Sequence, residues 1–233
     1  MVFHIIIKKI CGGQKMDKKK EKEKERKPIL IGCYNKSVIL TYVGLAASLN
    51  GMITLITAGM SGSMDYLGLA ILCLVIAGVC DMFDGTIARK CKRTEEEKLF
   101  GIQLDSLVDT VSFLVFPVVI LYYIAGNNPI TYIISLLYVI NGIIRLAWFN
   151  IKTEENKGIY QGLPVTMSAA IIPLVYLITK EIDMNSLTAI MYDTYLIIAV
   201  LFTLNFKLKK PKGKFQIAMV CGAVLFLAWF LFF

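Results

Sequence analysis

The sequence predicts an all-helical protein that crosses a membrane several times. Hydrophobic residues make up 57% of the chain and the mean hydropathy is +0.66, whereas a soluble domain contains roughly 45–50% apolar residues. The excess is concentrated in long apolar runs separated by short polar loops, a pattern typical of helical membrane proteins. Lysine and arginine concentrate in alternate loops, as they do in such proteins. One membrane domain accounts for these features.

Seven apolar stretches are each close to the ~20 residues that a membrane-spanning helix needs. They cover residues 37–58, 66–83, 102–125, 130–149, 163–179, 187–206 and 215–233. The sixth is the weakest candidate because it contains Asp193. Each of the seven is predicted to form one transmembrane helix.

The distribution of Lys and Arg predicts the orientation of the chain. With the N-terminus in the cytoplasm, all but two of the 25 Lys and Arg residues lie in the N-terminal segment or in loops on the cytoplasmic side. The exceptions are Lys180, in an outer loop, and Arg145, inside the fourth span. Because positively charged loops stay in the cytoplasm, we expect a multi-pass protein of the plasma membrane whose C-terminus lies outside.

The chain divides into three predicted parts. Residues 1–36 form a basic cytoplasmic arm, in which Lys and Glu alternate over residues 18–27, and a solvated segment is expected there. Residues 37–206 form the membrane domain, and residues 207–233 form a basic loop followed by the last span. Met16 is an alternative start to Met1, and the sequence leaves that choice open.

Composition excludes several classes of function. The six cysteines form no CxxC pair, which argues against a zinc site or a disulfide framework. His4 is the only histidine, so no catalytic triad that uses histidine is available. The formal charge of +8 arises from lysines that flank apolar runs, and no nucleic-acid motif accompanies it. We therefore expect membrane lipid, and no nucleic acid, as the partner of the basic segments.

Ionisable side chains inside the spans are the candidates for chemistry, because a charge within a bilayer is costly. Two pairs of aspartates stand out among them, Asp81 with Asp84 and Asp105 with Asp109. Spacings of three and four residues place the members of each pair on one face of a helix. Since a single cytoplasmic loop joins the two helices, the pairs are expected to face each other near the cytoplasmic surface.

Four carboxylates in one low-dielectric pocket repel one another unless cations neutralise them. Oxygen ligands without histidine favour Mg²⁺ or Mn²⁺, and four carboxylates fit a pair of such ions, which suits phosphoryl chemistry. Beside the first pair, Gly85 lets a ligand approach the backbone, Ala88 allows close helix packing, and Arg89 offers donors to a phosphate. The alternative is that the aspartates only cap helices and form ion pairs.

The full pattern reads Asp81-x-x-Asp84-Gly85-x-x-Ala88-Arg89, then a spacer, then Gly101-x-x-x-Asp105-x-x-x-Asp109. It resembles the signature of the CDP-alcohol phosphatidyltransferases, with a slightly longer spacer, and the likeness covers residues 37–206. The resemblance implies a polytopic bundle with a six-helix core, to which the last span adds a C-terminal transmembrane helix. It also implies a homodimer.

The same resemblance assigns roles to the motif residues. Asp81, Asp84 and Asp105 would hold two divalent ions. Asp109 would also lie at the metals and would be the general base for the acceptor hydroxyl. The CDP moiety would meet Gly85, Ala88 and Arg89. A further element of the family, P-N-x-x-T, is kept only in part: Thr41 matches, and Val38 stands where the family has Asn.

Three further stretches resemble the membrane-embedded phosphatidylserine synthases within that family. They are residues 101–117 (GIQLDSLVDTVSFLVFP), residues 145–150 (RLAWFN) followed by Gly162-Leu163-Pro164, and residues 204–209 (LNFKLK). This likeness implies CDP-diacylglycerol and L-serine as substrates, with phosphatidylserine and CMP as products. Arg145 is a candidate to bind the carboxylate of serine. Its alternative role is to pair with an acidic side chain or to reach the membrane interface.

Two alternative functions stand beside this one. The same fold can serve another acceptor, such as glycerol 3-phosphate or inositol phosphate, or an archaeal-type ether lipid as donor. A phosphorylated acceptor would require a more basic pocket than Arg145 alone supplies. The alternative from a different class is a cation transporter, with the aspartates as an ion path. The position of the carboxylates at one membrane face, and the lack of an inverted repeat in the sequence, argue against it.

Overall fold

The computed structural model describes residues 32, 38–61, 66–91, 93–152, 159–179 and 181–209. The basic arm apart from Gly32, and the seventh predicted span, lie outside these residues. In chain order the elements are α1 (Ile39–Ser61), α2 (Leu67–Lys90), α3 (Glu95–Asp109), a π-helical turn (Thr110–Val115), α4 (Phe116–Ala125), α5 (Pro129–Lys152), β1 (Ile159–Gln161), a 3₁₀ turn (Val165–Met167), α6 (Ser168–Thr179), α7 (Met184–Thr203) and β2 (Lys207–Lys209).

The described residues form a helical bundle, which confirms the predicted polytopic all-α fold. Five helical segments are long and apolar enough to cross a membrane: Ile39–Gly59, Leu67–Ala88, Glu95–Ala125, Pro129–Ile151 and Met184–Thr203. A shorter apolar helix, Val165–Thr179, corresponds to the fifth predicted span. The chain is therefore a multi-pass membrane protein.

The two helices that carry the aspartate pairs are longer than the hydrophobic pattern predicts. α2 continues to Lys90 instead of ending at residue 83, and α3 begins at Glu95 instead of residue 102. A capping box starts α3: Thr94 Oγ1 accepts from the Glu97 N–H at 3.2 Å, and the Glu97 carboxylate accepts from the Thr94 N–H at 2.8 Å. A hydropathy pattern does not register such polar turns. The extension of α2 brings Asp84 into the helix, so all four aspartates lie within α2 or α3.

A π-helical turn, Thr110–Val115, follows Asp109 directly. Pro117 comes two residues after this turn and has no N–H to donate to the preceding residues. The carbonyl of Phe113 is therefore available to another helix, and the buried hydroxyl of Tyr138 on α5 donates to it at 2.8 Å. Pro117 thus explains both the irregular backbone and the hydrogen bond that crosses to α5.

The same stretch is anchored to two more helices. The Ser168 hydroxyl, at the start of α6, lies 3.3 Å from the Phe113 carbonyl. The Tyr195 hydroxyl of α7 donates to the Pro117 carbonyl at 2.6 Å, and its ring centroid is 5.0 Å from that of Tyr138. These fully buried contacts hold the segment after the last aspartate between α5, α6 and α7.

A short antiparallel ribbon is the one departure from the all-helical prediction within the described residues. Ile159–Gln161 pairs with Lys207–Lys209, with residue 159 opposite residue 209. Strands of three residues are too short to show an alternating pattern in the sequence. Next to the ribbon, the Gly162 N–H donates to the Phe206 carbonyl at 2.9 Å. The ribbon ties the loop after α5 to the end of α7.

Candidate active site

Three of the four predicted aspartates come together between α2 and α3. One carboxylate oxygen from each of Asp81, Asp84 and Asp105 lies within 4.8 Å of the other two. The cluster forms because Asp81 and Asp84 share one face of α2, and because the short connection after Lys90 brings the chain back as α3. Asp84 is buried, and the other two are half-buried.

Asp109 lies one turn further along α3 and faces the same place. Its side chain is buried, at 8% exposure. All four aspartates line one small cavity, together with Thr41 of α1 and Ser112 of the π-helical turn. The cavity has a volume of about 10 Å³, close to the space that a single water molecule requires.

The carboxylate cluster fits a hard divalent cation. Mg²⁺ binds oxygen at about 2.0–2.1 Å, so adjacent ligands of an octahedral ion are about 2.9 Å apart and opposite ligands about 4.2 Å apart. The three carboxylate oxygen atoms lie within 4.8 Å of one another, so they are grouped closely enough to share one ion. The three residues supply oxygen donors alone, which favours Mg²⁺ or Mn²⁺ over zinc. The site can therefore hold a metal ion.

A comparison with known families agrees with this site. Residues 35–229 match the family model described as CDP-alcohol phosphatidyltransferase. This chain belongs to the CDP-alcohol phosphatidyltransferase family. The matched range includes the whole aspartate cluster, and it confirms the family predicted from the sequence. The roles of the individual site residues stay predictions.

Three curated relatives of this family member are informative. A CDP-diacylglycerol–serine O-phosphatidyltransferase of Helicobacter pylori (strain J99) is 38% identical over 112 residues, 46% of each chain. An archaetidylserine synthase of Methanothermobacter thermautotrophicus is 36% identical over 123 residues, 52% of this chain and 51% of the relative. A CDP-diacylglycerol–serine O-phosphatidyltransferase of Saccharomyces cerevisiae is 30% identical over 123 residues, 48% and 44% of the two chains. The chain spans about half the length of the curated relatives it matches.

Arg145, the predicted ligand of the serine carboxylate, lies inside the bundle of this family member. It is buried on α5, at 7% exposure, and its guanidinium carbon is 4.9 Å from the centroid of the Phe149 ring. The guanidinium is close enough to Asp81 and Asp109 for its charge to act on both. This position near acidic side chains is compatible with both predicted roles, and the role of Arg145 stays a prediction.

Arg145 also lines a second, larger cavity between the C-terminal ends of α5 and α7. This cavity has a volume of about 480 Å³. Its apolar lining includes Ile144, Trp148, Ile151, Phe202 and Leu204. One buried cation therefore lies between the aspartate cluster and an apolar cleft of the bundle.

Two contacts that the sequence does not reveal join the helices around the aspartates. The Thr41 hydroxyl donates to Asp84 Oδ2 at 3.0 Å, and both side chains are buried. The Ser106 hydroxyl, next to Asp105, lies 3.1 Å from Oδ1 and 2.9 Å from Nδ2 of Asn150 on α5. In the sequence, Thr41 stands out only as part of the P-N-x-x-T element and Asn150 only as the end of the stretch 145–150. Neither resemblance indicates which side chain these residues contact.

The three residues predicted to meet the CDP moiety follow Asp84 along the last turns of α2. Gly85 and Ala88 are half-buried. The side chain of Arg89 lies outside the described part of the structure. Contacts of these residues with a nucleotide stay a prediction. The same holds for any contact between a nucleotide and the longer spacer that follows Arg89.

Proposed function

We propose that this protein transfers the phosphatidyl group of CDP-diacylglycerol to the hydroxyl of L-serine, forming phosphatidylserine and CMP. The observation that carries the proposal is the convergence of the Asp81, Asp84 and Asp105 carboxylates in a member of the CDP-alcohol phosphatidyltransferase family. The names of the three relatives described above support serine as the acceptor, because each of them refers to serine.

The four carboxylates are the proposed holders of two divalent ions, Mg²⁺ or Mn²⁺. Asp81, Asp84 and Asp105 form the compact set, and Asp109 adds a fourth carboxylate from the next turn of α3. When bound, the ions would polarise the pyrophosphate of the nucleotide lipid and offset the charge that develops on the leaving phosphate. On the α2 side of the cluster, Gly85, Ala88 and Arg89 would bind the CDP moiety.

Asp109 is the proposed base that takes the proton of the serine hydroxyl. The hydroxyl oxygen then forms a bond to the β-phosphorus of CDP-diacylglycerol. The bond from that phosphorus to the bridging oxygen breaks, and CMP leaves with the electron pair. Asp105, one turn earlier on the same face of α3, would act through the metal ion that it helps to hold. Its place in the compact carboxylate set supports this role.

Arg145 is the proposed partner of the serine carboxylate. Its charge acts on Asp81 and Asp109, which supports an acceptor site on the side of the cluster that faces Arg145. A planar guanidinium can form two parallel hydrogen bonds with a carboxylate, which orients the acceptor as well as binding it.

The proposed place of action is the plasma membrane, with the N-terminus and the active site on the cytoplasmic side. CDP and serine are water-soluble groups, so a site at that surface meets both. The end of α2, the start of α3 and the end of α5 lie at one end of the bundle by their connectivity, and the loops at this end carry most of the basic residues. The proposed assembly is a homodimer, as the family resemblance implies.

A panel of acceptors tests the choice of serine. Purified protein with CDP-diacylglycerol and Mn²⁺ is expected to release CMP with L-serine at a rate at least about 100-fold higher than with ethanolamine, because ethanolamine lacks the carboxylate that would form paired hydrogen bonds with the guanidinium of Arg145. Glycerol 3-phosphate and inositol phosphate complete the panel of acceptors. A parallel reaction with an ether-linked nucleotide lipid tests whether the enzyme prefers a diacyl or an ether donor. Equal rates with serine and ethanolamine, or release with glycerol 3-phosphate alone, would contradict the proposal.

Replacing Thr41 with Val should weaken metal-dependent CMP release by roughly tenfold, because Asp84 loses a buried hydrogen-bond donor that orients it. Val keeps the shape of the side chain. The measurement is the rate over a range of Mn²⁺ concentrations, with Thr41→Ser as the control that retains the hydroxyl. The same Mn²⁺ dependence in the Val and Ser variants would show that the hydrogen bond does not support the site.

A further inference from the structure

The buried hydroxyl of Ser112 has no role in the scheme above. Ser112 is 1% exposed and lines the same cavity as the four aspartates. Among the residues that the structure describes, its Oγ has no hydrogen-bond partner. A buried polar group without a partner is unfavourable, so such groups in native proteins usually meet a water, an ion or a ligand. Ser112 therefore indicates that something else occupies the cavity.

The place of Ser112 in the chain explains how it reaches this cavity. It follows Asp109 by three residues, within the π-helical turn, and lines the cavity together with Asp105 and Asp109. The hydroxyl of Thr110, two residues earlier, is already engaged and donates to the Ser106 carbonyl at 2.8 Å. By contrast, the Ser112 hydroxyl faces the cavity without a hydrogen-bond partner in the part of the chain that the structure describes.

We propose that Ser112 is a positioning residue of the metal site, and that its hydroxyl holds a water molecule bound to the metal ion. A water bound at this site needs two to four polar partners. The serine hydroxyl and the surrounding carboxylates supply them. Mg²⁺ and Mn²⁺ sites commonly keep waters among their ligands. This inference rests on the metal site proposed above and adds to it a residue outside the family signature.

The binding of Mn²⁺ to the purified full-length protein tests this inference without any turnover. Calorimetry gives the Kd, and Ser112→Ala is expected to raise it by roughly tenfold, as loss of a residue that supports a metal ligand does. Ser135→Ala is the matched control. The Oγ of Ser135 is likewise buried without a partner among the described residues, but Ser135 lies on α5 and does not line the cavity. Its Kd should equal that of the unchanged protein.

A second pair of variants separates the hydroxyl from packing. Ser112→Thr keeps a hydroxyl and Ser112→Val replaces it with a methyl group of similar shape, so the Val variant should bind Mn²⁺ roughly tenfold more weakly than the Thr variant. This comparison holds even where Ser112→Ala does not fold. Equal Kd values for Thr and Val overturn the inference and leave the metal site intact. An unchanged protein that binds no Mn²⁺ overturns both.

Discussion

Changing Asp84 to Asn is expected to lower the rate of CMP release by roughly 10³-fold. A metal site supplies several kcal/mol of transition-state stabilisation, and each ~1.36 kcal/mol corresponds to a factor of about ten in rate. Asn keeps the shape of the side chain but removes its charge and one oxygen donor. Shape matters here because Asp84 is buried and accepts the Thr41 hydroxyl. The measurement is the initial rate with serine over a wide range of Mn²⁺ concentrations.

Asp193→Asn is the matched control for this substitution. Asp193 is an exposed aspartate of α7 and does not line the cavity. Substitutions at such positions usually change the free energy of unfolding by less than about 0.5 kcal/mol, and Asp193 does not line the cavity, so the rate should stay close to that of the unchanged protein. An Asp84→Asn protein that folds and turns over as fast as the Asp193→Asn protein would contradict the metal-ligand role of Asp84.

Replacing Arg145 with Lys is expected to raise the KM for serine by roughly 10- to 100-fold. Hydrogen bonds to charged groups contribute about 1.5–3 kcal/mol, and Lys cannot reproduce the paired donors of a guanidinium. The positive charge is kept, so the interaction with Asp81 and Asp109 is largely preserved. The KM for CDP-diacylglycerol should change far less.

The two KM values distinguish the two roles of Arg145. A residue that only pairs with the acidic cluster would disturb both substrates alike and would lower kcat, because the carboxylates would shift. A residue that binds the serine carboxylate acts mainly on the KM for serine. Equal increases in both KM values would therefore assign Arg145 to the carboxylates and remove it from the acceptor site.

The aspartate pairs are predictable from the sequence because helical spacing is a local property. Residues three or four positions apart share a face whatever the rest of the chain does, and Asp81, Asp84 and Asp105 are in fact brought together. The apolar runs likewise predict the bundle. The end of α2 and the start of α3 escape that pattern because both turns are polar. Capping at Thr94 and Glu97 stabilises the start of α3.

The contacts between helices are not predictable in this way. The partners Thr41 and Asp84 are 43 residues apart, and Ser106 and Asn150 are 44 apart. Only the packed bundle shows which helices are neighbours at that depth. The same is true of Ser112, whose hydroxyl could equally have faced lipid or another helix. Burial and the cavity, rather than a motif, identify it as part of the site.

Asp81, Asp84 and Asp105 are proposed to converge on bound divalent ions. An anomalous difference map from crystals soaked in Mn²⁺ would locate the metal independently of any assay. We expect peaks within bonding distance of these three carboxylates, with Asp109 beside them. A protein that is active in Mn²⁺ but shows no anomalous peak between α2 and α3 would rule out these aspartates as the metal ligands.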